Sequence, residues 1–330
     1  MTRNAAIIAA GMAVPDRVVP NSFFDELLGE DVDTWLREHL TIRERRWCAD
    51  DESTADLVER AARDILARAV VDAADVDLLI VATDTPEWIS PSTAAEVQHR
   101  LGIPACGTFD VNTACAGFVT ALDMGAKYIQ ADPRYRHVLV IGAYAMSKHL
   151  DLTDKRTSNL FADGAAGVLL GVTDKPGHGW LASRLRTSGE YAGWMGIYGG
   201  GAASPSTPES VARGDHRLKF VKKFPPEINP DTWTRMIREV AADAGAAVAD
   251  IDRVFFTQIN INSIRATLAN LDLGEDRTHY VMDRYGYTGS ACIPMCLAEA
   301  WGLGKVHPGD LVVFMGSGGG LAFACCAFRM

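Results

Sequence analysis

Apolar positions along this chain fall into two alternating patterns. From Ala55 to Val71 and from Asp231 to Ala247 they return every three or four residues, the period of a helix with one buried face. Each stretch leads into a segment, Ala73 to Thr83 in one case and Val248 to Gln258 in the other, that reads as a short turn and then an apolar run, and the two segments resemble each other residue by residue. Such runs predict strands buried on both faces. The correspondence continues downstream. A helix near Ser92 to Leu101, a strand Gly107 to Val111, a helix from Cys115 and a strand His137 to Gly142 are expected in the first half. Their counterparts are a helix near Ile261 to Leu271, a strand Thr278 to Asp283, a helix from Gly289 and a strand Asp310 to Met315. Two copies of one βαβαβ unit predict an α/β fold with two sheets and helices between and around them, divided at residues 1–172 and 173–330. The second half carries a Gly/Ser/Pro-rich insertion near residues 195–210, including Gly199-Gly200-Gly201 and Ser204-Pro205, expected to cap the site and shape substrate access.

Composition narrows the function classes. Among 330 residues, 42 are acidic and 32 basic, a net charge of −10 that argues against nucleic acid as a partner. No apolar stretch approaches the roughly 20 residues a spanning helix needs, so a cytoplasmic protein without a membrane partner is expected. Seven cysteines, with no C-x-x-C spacing, point to buried thiols rather than to a disulfide framework or a metal site. Cys292 and Cys296 read as core. Positive charge gathers between Arg213 and Lys223, which is either a solvated helix face or a dock for an acidic partner.

Two segments carry candidate chemistry. Cys115 sits in Asn112-Thr113-Ala114-Cys115-Ala116-Gly117, where an extended run ends and a helix starts. The helix dipole there would favour a thiolate, and the small neighbours would admit a thioester; taken alone, a Cys in an apolar run is usually inert core. The second segment is Gly316-Ser317-Gly318-Gly319-Gly320, a turn following a strand. Its backbone N–H groups can meet a developing oxyanion. A phosphate loop would need Lys-Ser or Lys-Thr next, and an apolar strand is expected instead.

In chain order, Asp33-Thr34-Trp35, Thr41-Ile42-Arg43-Glu44-Arg45, Leu101-Gly102-Ile103, Phe109-Asp110, Ala114-Cys115-Ala116-Gly117-Phe118, Phe161-Ala162-Asp163-Gly164, Asp283-Arg284-Tyr285-Gly286 and the final Gly-rich turn resemble the β-ketoacyl-acyl carrier protein synthase III family over nearly the whole chain. The resemblance implies a thiolase-like α-β-α-β-α arrangement and a homodimer, with Ser90 at the position that reaches into the neighbouring subunit's pocket. It implies Cys115 as acyl-accepting nucleophile, with the N–H groups of Cys115 and Gly319 as oxyanion hole. Coenzyme A thioester is the implied substrate, with no permanently bound cofactor. Trp35 would stack on its adenine, Lys155 beside Arg156 would take the place of an arginine with the same task, and Asn260 would line the pantetheine channel. Arg213, Arg217, Lys219, Lys222 and Lys223 fall where the family docks acyl carrier protein; Asn262 replaces a second docking arginine.

The sequence departs from the family at two residues. Thr257 stands where the family has a His, and Tyr287 falls in Gly286-Tyr287-Thr288-Gly289 where an Asn is usual. Both family residues stabilise the enolate formed when malonyl thioester loses carbon dioxide. Each replacement can donate a hydrogen bond, but neither titrates near neutrality. The expected activity is therefore transfer of an acyl group from coenzyme A or acyl carrier protein through Cys115 to a non-malonyl acceptor, in a polyketide-type pathway. The alternatives are a starter-unit synthase still performing Claisen condensation, a non-catalytic partner subunit, and a thioester hydrolase. His149 is a candidate replacement base, with a structural role as its rival.

Overall fold

The continuous apolar runs become strands covered on both faces. In the computed structural model, which describes residues 3–330, the first half contains β1 (Asn4–Ala13), β2 (Arg17–Pro20), α1 (Ser22–Leu28), α2 (Val32–Leu40), β3 (Glu44–Trp47), α3 (Thr54–Ala69), β4 (Leu78–Ala82), α4 (Thr93–Arg100), β5 (Gly107–Val111), α5 (Gly117–Ala131), β6 (His137–Ala145) and β7 (Asp163–Thr173). The second contains β8 (Gly179–Thr187), β9 (Met195–Gly196), α6 (Pro208–Ala212), β10 (Lys219–Phe220), α7 (Ile228–Asp243), β11 (Arg253–Phe256), α8 (Ile261–Asn270), α9 (Met282–Tyr285), α10 (Cys292–Gly302), β12 (Leu311–Gly318) and β13 (Ala322–Arg329).

One sheet runs β1-β7-β6-β4-β5 and the other β11-β12-β13-β8. In β4, Leu78, Ile80 and Ala82 face the layer between the sheets, whereas Leu79 and Val81 face an outer layer built on α3 and α4. This two-sided burial is why the run shows no alternation. Helices α5 and α10 fill the central layer, packing against strands of both sheets, and α7 and α8 cover the far face of the second sheet. The arrangement is α-β-α-β-α and thiolase-like. Cys292 and Cys296 on α10 are fully buried. Among the described residues no helix is long and apolar enough to cross a membrane.

The expected strand Thr278–Asp283 does not form. Its place beside β11 is held by one side chain: Gln258 donates to the His279 carbonyl (2.8 Å) and accepts from Val281 N–H (2.9 Å) and Met282 N–H (3.1 Å). These bonds satisfy the buried backbone without a ladder, so the segment runs straight into α9 and the second sheet stops at four strands.

Candidate active site

Cys115 lies on a strained turn between β5 and α5. Ala114 has φ of +46°, a left-handed conformation that costs a non-glycine residue about 1–3 kcal/mol. Two side chains hold it there: Asn112 Oδ1 accepts from Ala114 N–H (3.0 Å), and Ser290 Oγ donates to the Ala114 carbonyl (3.0 Å). Ser290 comes from the segment that opens α10, so the turn is locked by the opposite half of the chain.

The Gly-rich turn after β12 closes over the same point. A Cβ on Gly318 would collide with Cys115 N and lie 2.7 Å from the Thr113 carbonyl, so only glycine permits this approach. Gly319 follows and lines two cavities, both of which also reach Cys115 and Met195. The larger, of about 360 Å³, is bordered by Arg156, Phe161, Lys223, Phe224, Asn260 and Tyr287. The smaller, of about 260 Å³, is bordered by Asp84, Asn112, Tyr144, Tyr198 and Leu218. Met195 to Tyr198, Leu218, Phe220 and Lys223 to Pro226 all come from the region between β8 and α7, which lies over the sulfur. Among the described residues, no histidine lines either cavity.

The expectation of a resting thiolate is corrected. Cys115 is 2% exposed and sits two residues before α5 begins. Burial pushes its thiol well above the ordinary value, and the carboxylate of Asp84 adds to that rise. The neighbouring Tyr287 hydroxyl acts in the other direction. Tyr287 is itself fixed by backbone bonds to both sides of Phe161, Tyr287 N–H to Leu160 O (2.9 Å) and Ala162 N–H to Tyr287 O (2.9 Å), and by aromatic contact with Phe161 and Tyr144.

Thr257 does not join this group. It is buried behind the site, where its hydroxyl donates to the Ser317 carbonyl (3.3 Å) and accepts from Ser317 N–H (2.9 Å). The donor expected of it for a substrate is already committed to positioning the strand before the Gly-rich turn. His149 is likewise excluded as replacement base: its Nδ1 faces the His216 carbonyl at 3.3 Å, burial lowers its pKa, and it borders a separate surface cavity with Asp50 and Glu52.

The donor-binding residues divide. Asn260 caps α8, accepting from Asn262 N–H (2.9 Å), and borders the larger cavity with Arg156, whose guanidinium pairs with Asp154 at 2.7 Å. Lys155 instead pairs with Glu30 (2.9 Å) at the surface, outside that lining. Trp35 is 50% exposed on α2, whose last residue, Leu40, reaches the cavity. The basic cluster is not a helix face. Arg213 and Lys219 share Asp215 (2.8 and 3.2 Å), and Arg217 donates to the Leu150 carbonyl. Lys222 lies 4.0 Å from the Trp194 ring, and Lys223 borders the cavity; among the described residues neither has a carboxylate partner. Ser90 follows the exposed Trp88 and Ile89 on a loop after β4.

Asp84 escaped the sequence reading. Its signal was position: it stands two residues past the carboxyl end of a buried parallel strand, where open α/β sheets place their ligands.

Two family models match the chain, 3-oxoacyl-[acyl-carrier-protein (ACP)] synthase III over residues 109–189 and its C-terminal counterpart over residues 241–330. The beta-ketoacyl-[acyl-carrier-protein] synthase III of Symbiobacterium thermophilum is 36% identical over 333 residues, covering 99% of this chain and 98% of its own. Among solved structures, the 3-oxoacyl-[acyl-carrier-protein] synthase III of Aquifex aeolicus superposes with a TM-score of 0.88 at 28% identity, covering 99% of this chain and 100% of its own. The priming beta-ketosynthase of the R1128 polyketide biosynthetic pathway gives 0.87 at 27% identity, covering 99% and 96%. Matched by both models and by full-length relatives, the chain belongs to the β-ketoacyl-acyl carrier protein synthase III family.

Proposed function

We propose that this chain is an acyltransferase that takes an acyl group from coenzyme A or acyl carrier protein onto Cys115 and delivers it to an acceptor other than a malonyl thioester. The observation that carries the reading is the position of Cys115 between two cavities, with Tyr287 beside it and, among the described residues, no imidazole in either lining. In this reading, the sulfur attacks the donor's carbonyl carbon, the N–H groups of Cys115 and Gly319 receive the developing oxyanion, and the donor's thiol leaves. Arg156, Asn260 and Lys223 border the larger cavity as the donor channel, with Trp35 and Lys155 outside it at the nucleotide end. Lys222 and Lys223 are the strongest carrier-docking contacts, because the charges of Arg213 and Lys219 are shared with Asp215. A homodimer with the Trp88-Ile89-Ser90 loop at its interface, and a place in a polyketide-type pathway, belong to the same proposal.

Claisen condensation is the second reading. It is favoured by the relatives, which are named as synthases and match along their full length. Against it stands the loss of both enolate donors, Thr257 being turned away to Ser317. Single-turnover reaction of the acylated protein with malonyl-carrier protein labelled in the free carboxylate separates the two. Product without labelled carbon dioxide supports transfer, and carbon dioxide released one-for-one with a β-ketoacyl product establishes condensation.

A further inference from the structure

Asp84 borders the smaller cavity together with Cys115, Tyr144, Tyr198 and Gly319. The residue keeps some exposure, but its Oδ1 is shut off from solvent and has no hydrogen-bond partner. A buried carboxylate oxygen without a side-chain donor is costly, and burial outweighs the backbone donor at Asp84 itself. The titratable groups that face Asp84 are Cys115 from the turn before α5, Tyr144 from β6 and Tyr198 from the segment over the site; among the described residues no Lys, Arg or His lines this cavity. The exposed part of the same carboxylate meets the cavity, so a ligand there reaches it at a place that also touches the acyl-bearing sulfur.

The nature of the donor follows from what a carboxylate does for each nucleophile. An amine would enter as ammonium and form an ion pair, which keeps its lone pair protonated. A thiol supplies its own anion near neutrality. A hydroxyl group is the nucleophile that needs a base.

We propose that Asp84 is the general base for a hydroxyl acceptor, which makes the product an ester; this rests on the acyl-transfer reading above. The acceptor's oxygen attacks the thioester carbonyl carbon of acyl-Cys115 while its proton passes to the Asp84 carboxylate. As the tetrahedral intermediate collapses, the C–S bond breaks and the Cys115 sulfur takes that proton from Asp84. The ester leaves, and thiol and carboxylate are restored. Burial holds the Asp84 carboxyl up to about 6, so it is ionised at neutral pH yet basic enough to accept a proton.

The test uses the full-length protein loaded with acetyl-coenzyme A and freed of excess donor, with discharge of the acyl-enzyme followed by intact mass. Wild type and Asp84→Asn are compared with 1-propanol, and with hydroxylamine as a nucleophile that needs no base. The expected result in Asp84→Asn is one acyl group still loaded on Cys115, with the ratio of propanol to hydroxylamine discharge lowered about 100-fold. In wild type the propanol rate should rise with pH through about 6. Iodoacetamide should alkylate the unloaded Cys115 faster in the variant, because the carboxylate that raises the thiol's pKa is gone; a purely structural role would not produce opposite effects on the two steps. Propanol discharge within threefold of wild type in Asp84→Asn overturns the proposal. So does a wild-type rate that is flat with pH or no faster than that of a free thioester. Failure of wild type to load at all overturns the acyl-transfer reading, and this proposal with it.

Discussion

Two side chains at the sulfur have measurable and different duties. Tyr287 is the neighbouring side chain whose hydroxyl lowers the pKa of Cys115 against the effect of burial. Tyr287→Phe should raise that pKa further, moving the pH profile of iodoacetamide alkylation upward and slowing acylation about tenfold, since a hydrogen bond to a charged group contributes about 1.5–3 kcal/mol. Gly318 serves through absence of a side chain. Gly318→Ala places a methyl group against Cys115 N, Thr113 O and the Ala114 Cβ at 2.9 Å. It should abolish acylation and lower stability by about 1–3 kcal/mol, the usual cost of overpacking, as read by urea denaturation. At this scale the sequence pointed to Cys115 and the glycines, because motif and spacing name them. It misjudged the thiol's ionisation, which depends on burial and on Asp84, a residue about thirty positions away in sequence.

Among the elements, the segment His279–Met282 hangs on Gln258. Gln258→Leu would leave Val281 N–H, Met282 N–H and the His279 carbonyl buried without partners and should cost about 3 kcal/mol in urea unfolding, with m unchanged. Periodicity and internal repetition located α3, α4, α7, α8, β4, β5, β11 and β12 to within a few residues, because each carries its own apolar pattern. The strand expected at Thr278–Asp283 was an inference from symmetry alone. It failed because a side chain took over the hydrogen bonds that a sheet edge would have made. The basic cluster was misread as a possible helix face for a related reason: α6 ends at Ala212, and the charges that follow lie on turns and on the two-residue strand β10. Thr257 was judged by its place in a motif, whereas its role is set by Ser317 on the neighbouring strand.

For the whole molecule, function and stability oppose each other at Asp84. In the folded chain this carboxyl keeps its proton up to about pH 6, whereas the unfolded chain releases it near the usual 3.8. Between those values the folded state binds more protons, so stability should fall as pH rises from about 4 to about 6, by about 3 kcal/mol at most. Asp84→Asn removes this loss. It should unfold about 1–3 kcal/mol harder than wild type at pH 7 and no harder at pH 4, measured by thermal or urea unfolding at both. A variant that is more stable yet slower in acyl discharge would mark Asp84 as a residue kept for chemistry.

Acyl transfer by this chain depends most on the sulfur between the two cavities. Intact-protein mass spectrometry after incubation with acyl-coenzyme A and acyl-carrier protein, on wild type and Cys115→Ala, tests it directly. One acyl group on wild type, mapped to Cys115 and absent from Cys115→Ala, is the result expected. A wild-type protein left unmodified by every donor, or acylated equally without Cys115, would contradict it.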